Sequence, residues 1–191
     1  MKKNLLLLLA LIGFSNQSHS QYYGDGFLCL DCYGNIEVGA NLTTIPNMEG
    51  AKPRIGFSAA LNNYKEFNEN IYLKFGISYH NLGAKFENED TEDLTIHTIG
   101  GTVGINYVQQ RDYQFFGGLQ IEGNILKNWM YSDDVDINFL TYSIYGGAGL
   151  IFAENIELSV KYNLGLANLS NNSEDNWKRS YLSLTLGYTF F

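Results

Sequence analysis

The feature that most constrains this chain is a side-chain period of two, held over segments longer than ordinary strands. From Ile156 the even positions read Ile156, Leu158, Val160, Tyr162, Leu164 and Leu166; the odd ones read Glu157, Ser159, Lys161, Asn163, Gly165 and Ala167. Successive strand residues point to opposite faces, so one face is wholly apolar and the other polar or small. A soluble strand usually runs about 5–6 residues, whereas a strand tilted near 45° needs about 9–11 to cross a bilayer. The closing segment repeats the pattern, with Leu182, Leu184, Leu186, Tyr188 and Phe190 against Ser183, Thr185, Gly187 and Thr189. Upstream, Ile36, Val38, Ala40 and Leu42 oppose Glu37, Gly39, Asn41 and Thr43, and Ile55, Phe57, Ala59 and Leu61 mark a shorter second strand. A third strand sets Ile71, Leu73, Phe75, Ile77 and Tyr79 against Tyr72, Lys74, Gly76, Ser78 and His80. A fifth sets Phe115, Leu119, Ile121 and Ile125 against Gln114, Gln120, Glu122 and Asn124, and a sixth sets Leu140, Tyr142, Ile144, Leu150 and Phe152 against Thr141, Ser143, Gly147 and Gly149. The fourth is irregular. Ile99, Val103, Ile105 and Tyr107 share a parity that Leu94 and Ile96 lack, and a bulge near Ile96 to Thr98 would restore it.

Two kinds of barrel fit this alternation. In a soluble, lipocalin-like barrel the apolar set lines a ligand cavity; in a membrane barrel it faces lipid, and polar and small residues crowd the lumen. The polar set here is Gly, Ser, Thr, Asn and Gln with few charges, a poor covering for a water-facing exterior. Aromatics gather near strand ends, with Tyr107, Tyr113, Phe115, Phe152, Tyr188 and Phe190 at one rim and Tyr79, Trp129, Tyr131, Phe139, Trp177 and Tyr181 towards the other, as interfacial girdles do. The expectation is an all-β, eight-stranded antiparallel up-and-down transmembrane barrel. Both prolines, Pro46 and Pro53, fall in one short segment, leaving every later N–H for the ladder. Gln109 to Asp112 and Ala153 to Asn155 read as tight turns and Asn62 to Asn70 as a longer one; they alternate with loops at Pro46 to Lys52, Ala84 to Asp93, Lys127 to Asn138 and Ser170 to Asn176. Short periplasmic turns and long outer loops then put both termini in the periplasm.

The N-terminus supplies the address. Lys2 and Lys3 precede an apolar core from Leu5 to Phe14 and a polar stretch ending at Ser20, the layout of a cleavable secretory signal over residues 1–20. That core is too short for a membrane helix, which needs about 20 residues. Residues 21–34 then form an N-terminal periplasmic segment and 35–191 the barrel. Loss of Lys2 and Lys3 leaves ten basic against 20 acidic side chains, so nucleic acid, which needs clustered Lys and Arg, is not an expected partner.

The stretches IEVGANLTTI, GGLQIEGN, GGAGLIFAENIELSVKYNLGLANL and LSLTLGYTFF together resemble the PorT-like outer-membrane β-barrel family of Bacteroidota, from about Asn35 to the end. The resemblance implies a barrel similar in size to OmpX with eight strands and no separate catalytic domain; some relatives assist protein secretion or gliding. It also implies that Tyr188 and Phe190, with Phe191 one residue beyond the usual stop, form a terminal signal read by the barrel-assembly machinery.

Few residues suggest chemistry. Cys29 and Cys32 make a C-x-x-C, for which a local disulfide is the default in an oxidising compartment; a thioredoxin-like motif needs a βαβ setting and a zinc site two more ligands. His80 and His97 are the histidines of the mature chain, and Ser78 shares a face with His80, but no nucleophile-elbow motif accompanies them. Glu87, Glu89, Asp90, Glu92 and Asp93, and then Asp133, Asp134 and Asp136, place acidic charge in two outer loops without the ligand spacing of a calcium loop. Neither an enzyme nor a cofactor is expected. Glu37, Lys74, Glu157 and Lys161 fall on the inward face near the periplasmic strand ends, and a charge in a narrow lumen must be paired or wet. They are expected to plug the lumen with ion pairs. The leading expectation is thus a non-enzymatic barrel in the outer membrane, among lipid and lipopolysaccharide, with a structural, surface-interaction or secretion-accessory role. A narrow channel or carrier for small solutes is the second reading and a soluble ligand-binding barrel the third.

Overall fold

Within a bilayer every backbone N–H and C=O must be satisfied by the protein itself, and strands achieve this only by closing on themselves. The computed structural model describes residues 32–86, 93–110, 112–128, 137–152, 155–172 and 176–190. They form eight strands: β1 (Tyr33–Thr44), β2 (Arg54–Asn68), β3 (Ile71–Ala84), β4 (Leu94–Gln109), β5 (Tyr113–Asn128), β6 (Leu140–Phe152), β7 (Ile156–Gly165) and β8 (Ser180–Phe190). Each pairs antiparallel with its sequence neighbour, and β8 returns to β1, in register from Gly34 with Phe190 to Thr44 with Ser180. The result is a closed up-and-down barrel.

Alternation sorts the side chains as a lipid solvent requires. Val38, Val103, Leu119, Val160 and Leu184 project outward and are exposed, while Asn41, Gln120, Asn163, Ser183 and Thr185 point inward and are buried. A soluble lipocalin-like barrel needs the reverse arrangement, so that reading is overturned. Tyr107, Tyr113, Phe115, Phe152 and Tyr188 are exposed around the rim that carries the chain ends, here the terminal rim. Phe139 is exposed at the opposite, loop rim.

Three sequence expectations change. First, β2 continues to Asn68, leaving only Glu69 and Asn70 as the turn; Asn62 to Asn70 is not a loop. Its polar run is strand because Asn62 and Tyr64 face the lumen and pair with Gly76 and Lys74 of β3. A register irregularity between Glu66 and Asn68 leaves Phe67 84% exposed. Secondly, β4 carries no bulge on its own chain. Its pairing with β3 is unbroken from Ala84 with Leu94 to Ile71 with Tyr107, so Leu94 and Ile96 point inward and are fully buried. The irregularity lies in the β4–β5 pairing, where His97 partners Leu126 but Thr98 partners Asn124, so the extra residue, Ile125, is on β5. Thirdly, Trp177 and Tyr181 are not girdle residues. Tyr181 is buried inside the lumen, and Trp177 packs on an apolar cluster of Ile45, Met48, Ala84, Leu94, Ile96 and Leu169.

That cluster caps the lumen at the loop rim. Backbone bonds join the loops over it: Lys52 N–H to Lys85 O at 2.8 Å and the reverse at 3.1 Å, and Asn138 N–H to Leu169 O at 2.9 Å. The Asn138 side chain donates to Asn168 O and Ser170 O at 3.0 and 2.9 Å, and Asn47 Nδ2 to Asn176 O at 3.2 Å. The expected signal segment, Cys29, Trp129, Tyr131, Phe191 and the acidic residues Glu87, Glu89, Asp90, Glu92, Asp133, Asp134 and Asp136 lie outside the described residues.

Candidate functional site

The lumen is the only interior an eight-stranded barrel has, and it is just wide enough for side chains. Near the terminal rim, Lys74 Nζ of β3 lies 2.6 Å from Glu37 Oε1 of β1, both buried. Asn62 Nδ2 donates to the same Glu37 oxygen at 2.7 Å and to Asn35 Oδ1 at 3.3 Å, and Asn35 Nδ2 donates to Thr189 Oγ1 at 3.1 Å. Across the lumen, Gln114 Nε2 donates to Glu157 Oε2 at 2.9 Å and to Ser159 Oγ at 3.0 Å, while its own oxygen accepts from Asn106 Nδ2 at 2.9 Å. Charges taken from water are tolerated when they are paired and hydrogen-bonded; here Glu37 Oε1 accepts from both Lys74 and Asn62.

Lys161 stands differently. Among the described residues no carboxylate lies within ion-pair distance of it. Its Nζ sits 5.6 Å from the Tyr145 ring centroid, a cation–π arrangement. Lys74 uses rings as well, lying 5.3 Å from Tyr64 and 5.2 Å from Phe116. These inward aromatics fit because glycines face them. A Cβ at Gly104 or Gly118 would meet the Tyr145 hydroxyl, and one at Gly147 the Phe116 ring. Gly187 pairs with Glu37 on one side and Glu157 on the other, and a Cβ there would strike the Glu157 side chain.

A second charged layer lies towards the loop rim. Arg179 NH2 is 2.8 Å from Glu122 Oε2, both buried, and NH1 donates to Asn124 Oδ1 at 3.1 Å. Gln120 Nε2 donates to Glu122 Oε1 and lies 2.9 Å from the Tyr181 hydroxyl, which itself donates to Glu122 Oε1 at 3.3 Å. Asn163 Nδ2 donates to Gln120 Oε1 and to Tyr181 OH, both at 3.0 Å, and His80 Nε2 lies 3.2 Å from Gln120 Nε2. Sequence reasoning placed Glu122 inward without a partner and missed Arg179. The signal was available: Arg179 shares the odd parity of the inward Tyr181, Ser183 and Thr185, and a lone carboxylate inside a membrane barrel calls for a cation.

Other candidates remain apart. The Ser78 hydroxyl has no hydrogen-bond partner among the described residues, so it makes no nucleophile–base contact with His80. His97 is outside the lumen, its Nδ1 2.6 Å from the Tyr79 hydroxyl. Cys32 is buried at the head of β1, and Cys29, its candidate partner, lies outside the described residues. Tyr188 faces outward, exposed, and Phe190 is half-buried beside Gly34.

Comparison with known proteins agrees with this geometry. Neisserial surface protein A superposes with a TM-score of 0.57 at 16% identity, covering 83% of this chain and 97% of that one. Ail, the attachment invasion locus protein of Yersinia pestis, gives 0.53 at 17% identity over 83% of this chain and 98% of its own. Such low identities show a shared fold. No curated protein matches the chain by sequence. The model of the family described as outer membrane protein beta-barrel domain matches residues 33–171. With its lipid-facing exterior and charged, filled lumen, the chain belongs to that outer-membrane β-barrel family.

Proposed function

We propose that this protein is a non-conducting, non-enzymatic barrel of the PorT-like branch, with its loop rim outward and both termini in the periplasm. It acts through its surface, in a structural, surface-interaction or secretion-accessory role. The observation that carries this reading is the stack across the lumen: Glu37 with Lys74, then Glu122 with Arg179, then the apolar cap. Among the described residues, three buried acids, Glu37, Glu122 and Glu157, share the lumen with three buried bases, Lys74, Lys161 and Arg179. These six charges balance one another without mobile ions. The alternation of short turns with long loops supports the orientation. On this reading the signal peptide is removed after Ser20, Cys29 and Cys32 are bonded, and the assembly machinery reads Tyr188, Phe190 and Phe191.

Reconstitution of the mature barrel into planar bilayers tests the proposal. No steady conductance is expected. A stable, well-defined open channel would overturn the plug and put the narrow channel or carrier first.

A further inference from the structure

Strands consecutive in sequence are joined by a turn or loop, which helps to set their register. The closing pair, β8 on β1, joins the two ends of the barrel and has no such connection. Alternation does not fix that register either. A slip of one residue turns every side chain to the wrong face, but a slip of two keeps the faces right. Outside, Ile36, Val38, Ala40 and Leu42 of β1 run beside Tyr188, Leu186, Leu184 and Leu182 of β8, and these apolar rows match after any even slip. What distinguishes the observed pairing is size. Gly34 stands opposite Phe190 on the outer face, and a Cβ at Gly34 would strike the ring. Gly34 is buried, whereas Ile36, Val38 and Ala40 on the same face are exposed; Phe190 is half-buried, whereas Leu184, Leu186 and Tyr188 are exposed. The ring therefore lies over Gly34. On the inner face Gly39 stands opposite Thr185, and a Cβ there would meet the Thr185 side chain. Two side-chain bonds hold the same register, Asn35 Nδ2 to Thr189 Oγ1 at 3.1 Å and Ser183 Oγ to Asn41 Oδ1 at 2.6 Å.

We propose that small-to-large matching across the β1–β8 seam, with Gly34 seating the Phe190 ring and Gly39 facing Thr185, selects one closing register and thereby fixes the width of the lumen. Sliding β8 by two in one direction sets Gly34 against Tyr188, Glu37 against Thr185 and Asn41 against Tyr181. Sliding it the other way sets Phe190 against Ile36 and leaves Gly39 opposite Gly187, where neither fills the space beside the other. Either slip takes both side-chain bonds out of opposition. Strand stagger and barrel width are linked, so a single register means a single lumen width, the one at which the inward side chains fill the interior. The device does not rest on the proposed surface role, and a conducting barrel would leave it standing.

The test uses the intact mature barrel refolded in detergent micelles, where no assembly machinery takes part, and reads the seam by NMR. The unmodified protein should show one set of cross-strand contacts, Ile36 with Tyr188 and Val38 with Leu186, and an upfield ring-current shift of the Gly34 α-protons. Gly34→Val removes the seat. The population in the native register should then fall about tenfold relative to slipped forms, a ratio within the reach of one overpacked contact. Slipped forms are recognised by contacts of residue 34 with Tyr188 or of Ile36 with Phe190. Ala40→Val, at an exposed outward position of β1, should keep the single native set. The reciprocal change, Gly34→Val with Phe190→Gly, puts the larger side chain on the other strand and should restore the native contacts. Heat-modifiable migration on a gel reports closure throughout. If Gly34→Val alone fails to close, the reciprocal variant still decides, because recovery of closure and of the native contacts is the expected result. An undiminished native set in Gly34→Val, an equal slip in Ala40→Val, or no recovery in the reciprocal variant would overturn the proposal.

Discussion

Glu37 and Lys74 depend on each other in a way that Lys161 does not share. The sequence led to the expectation of ion pairs among all four inward charges, with removal of Lys161 leaving a carboxylate short of its counter-charge; the geometry puts that weight on Lys74. Lys74→Met leaves Glu37 buried without its cation and should cost about 3–5 kcal/mol of unfolding free energy. Lys161→Met forfeits the Tyr145 ring contact and should cost about 0.5–2 kcal/mol. Urea titration of the refolded variants in detergent, followed by fluorescence, compares them; equal losses would mean that Lys161 has a carboxylate partner after all. Gly187 is a second such point. Gly187→Ala drives a methyl group into Glu157, an overpacking of about 1–3 kcal/mol. Adding Glu157→Ala should recover part of that loss, and a non-additive double-mutant cycle would show it. Strict additivity would place the clash elsewhere.

At the scale of the strand, alternation was legible wherever the inward face is uniformly polar, as in β1, β7 and β8. It misled where that face changes character along one strand. On β4 the inward set passes from Leu94 and Ile96 under the cap to Thr98 and Asn106 in the polar lumen, so one continuous parity looked like a slipped one. On β2 the inward Asn62 and Tyr64 made strand resemble turn. Inward aromatics escaped notice for the same reason: Phe116 and Tyr145 fill space opened by glycines on neighbouring strands, and no single-strand pattern records a neighbour's cavity. Glu122 and Arg179 lie 57 residues apart, and their pairing requires the three-dimensional register. Three substitutions distinguish the faces. Ile96→Ala should behave as a core truncation and cost about 2–5 kcal/mol, whereas Ile99→Ala, exposed to lipid, should lose less. Leu184→Arg, outward on β8, should cost about 2–4 kcal/mol near the bilayer midplane. Mildness at Ile96 in the same titration would contradict the parity assigned to β4.

For the molecule as a whole, closure governs behaviour. A cylinder with every strand paired on both sides has no edge from which to unravel, so the refolded protein should run faster unboiled than boiled on a detergent gel and fractionate with the outer membrane. A single migration and a soluble periplasmic pool would contradict that. The seam between β1 and β8 has a further consequence. Asn35 donates to Thr189 across 154 positions of sequence, so the earliest strand of the barrel waits for the final one before either is satisfied. The cylinder therefore cannot be sealed until β8 reaches β1. Until then the strands already paired expose open edges, the surfaces on which chains aggregate. Closure is thus all-or-none: a chain that lacks β8 is left with two open edges however well its other strands pair.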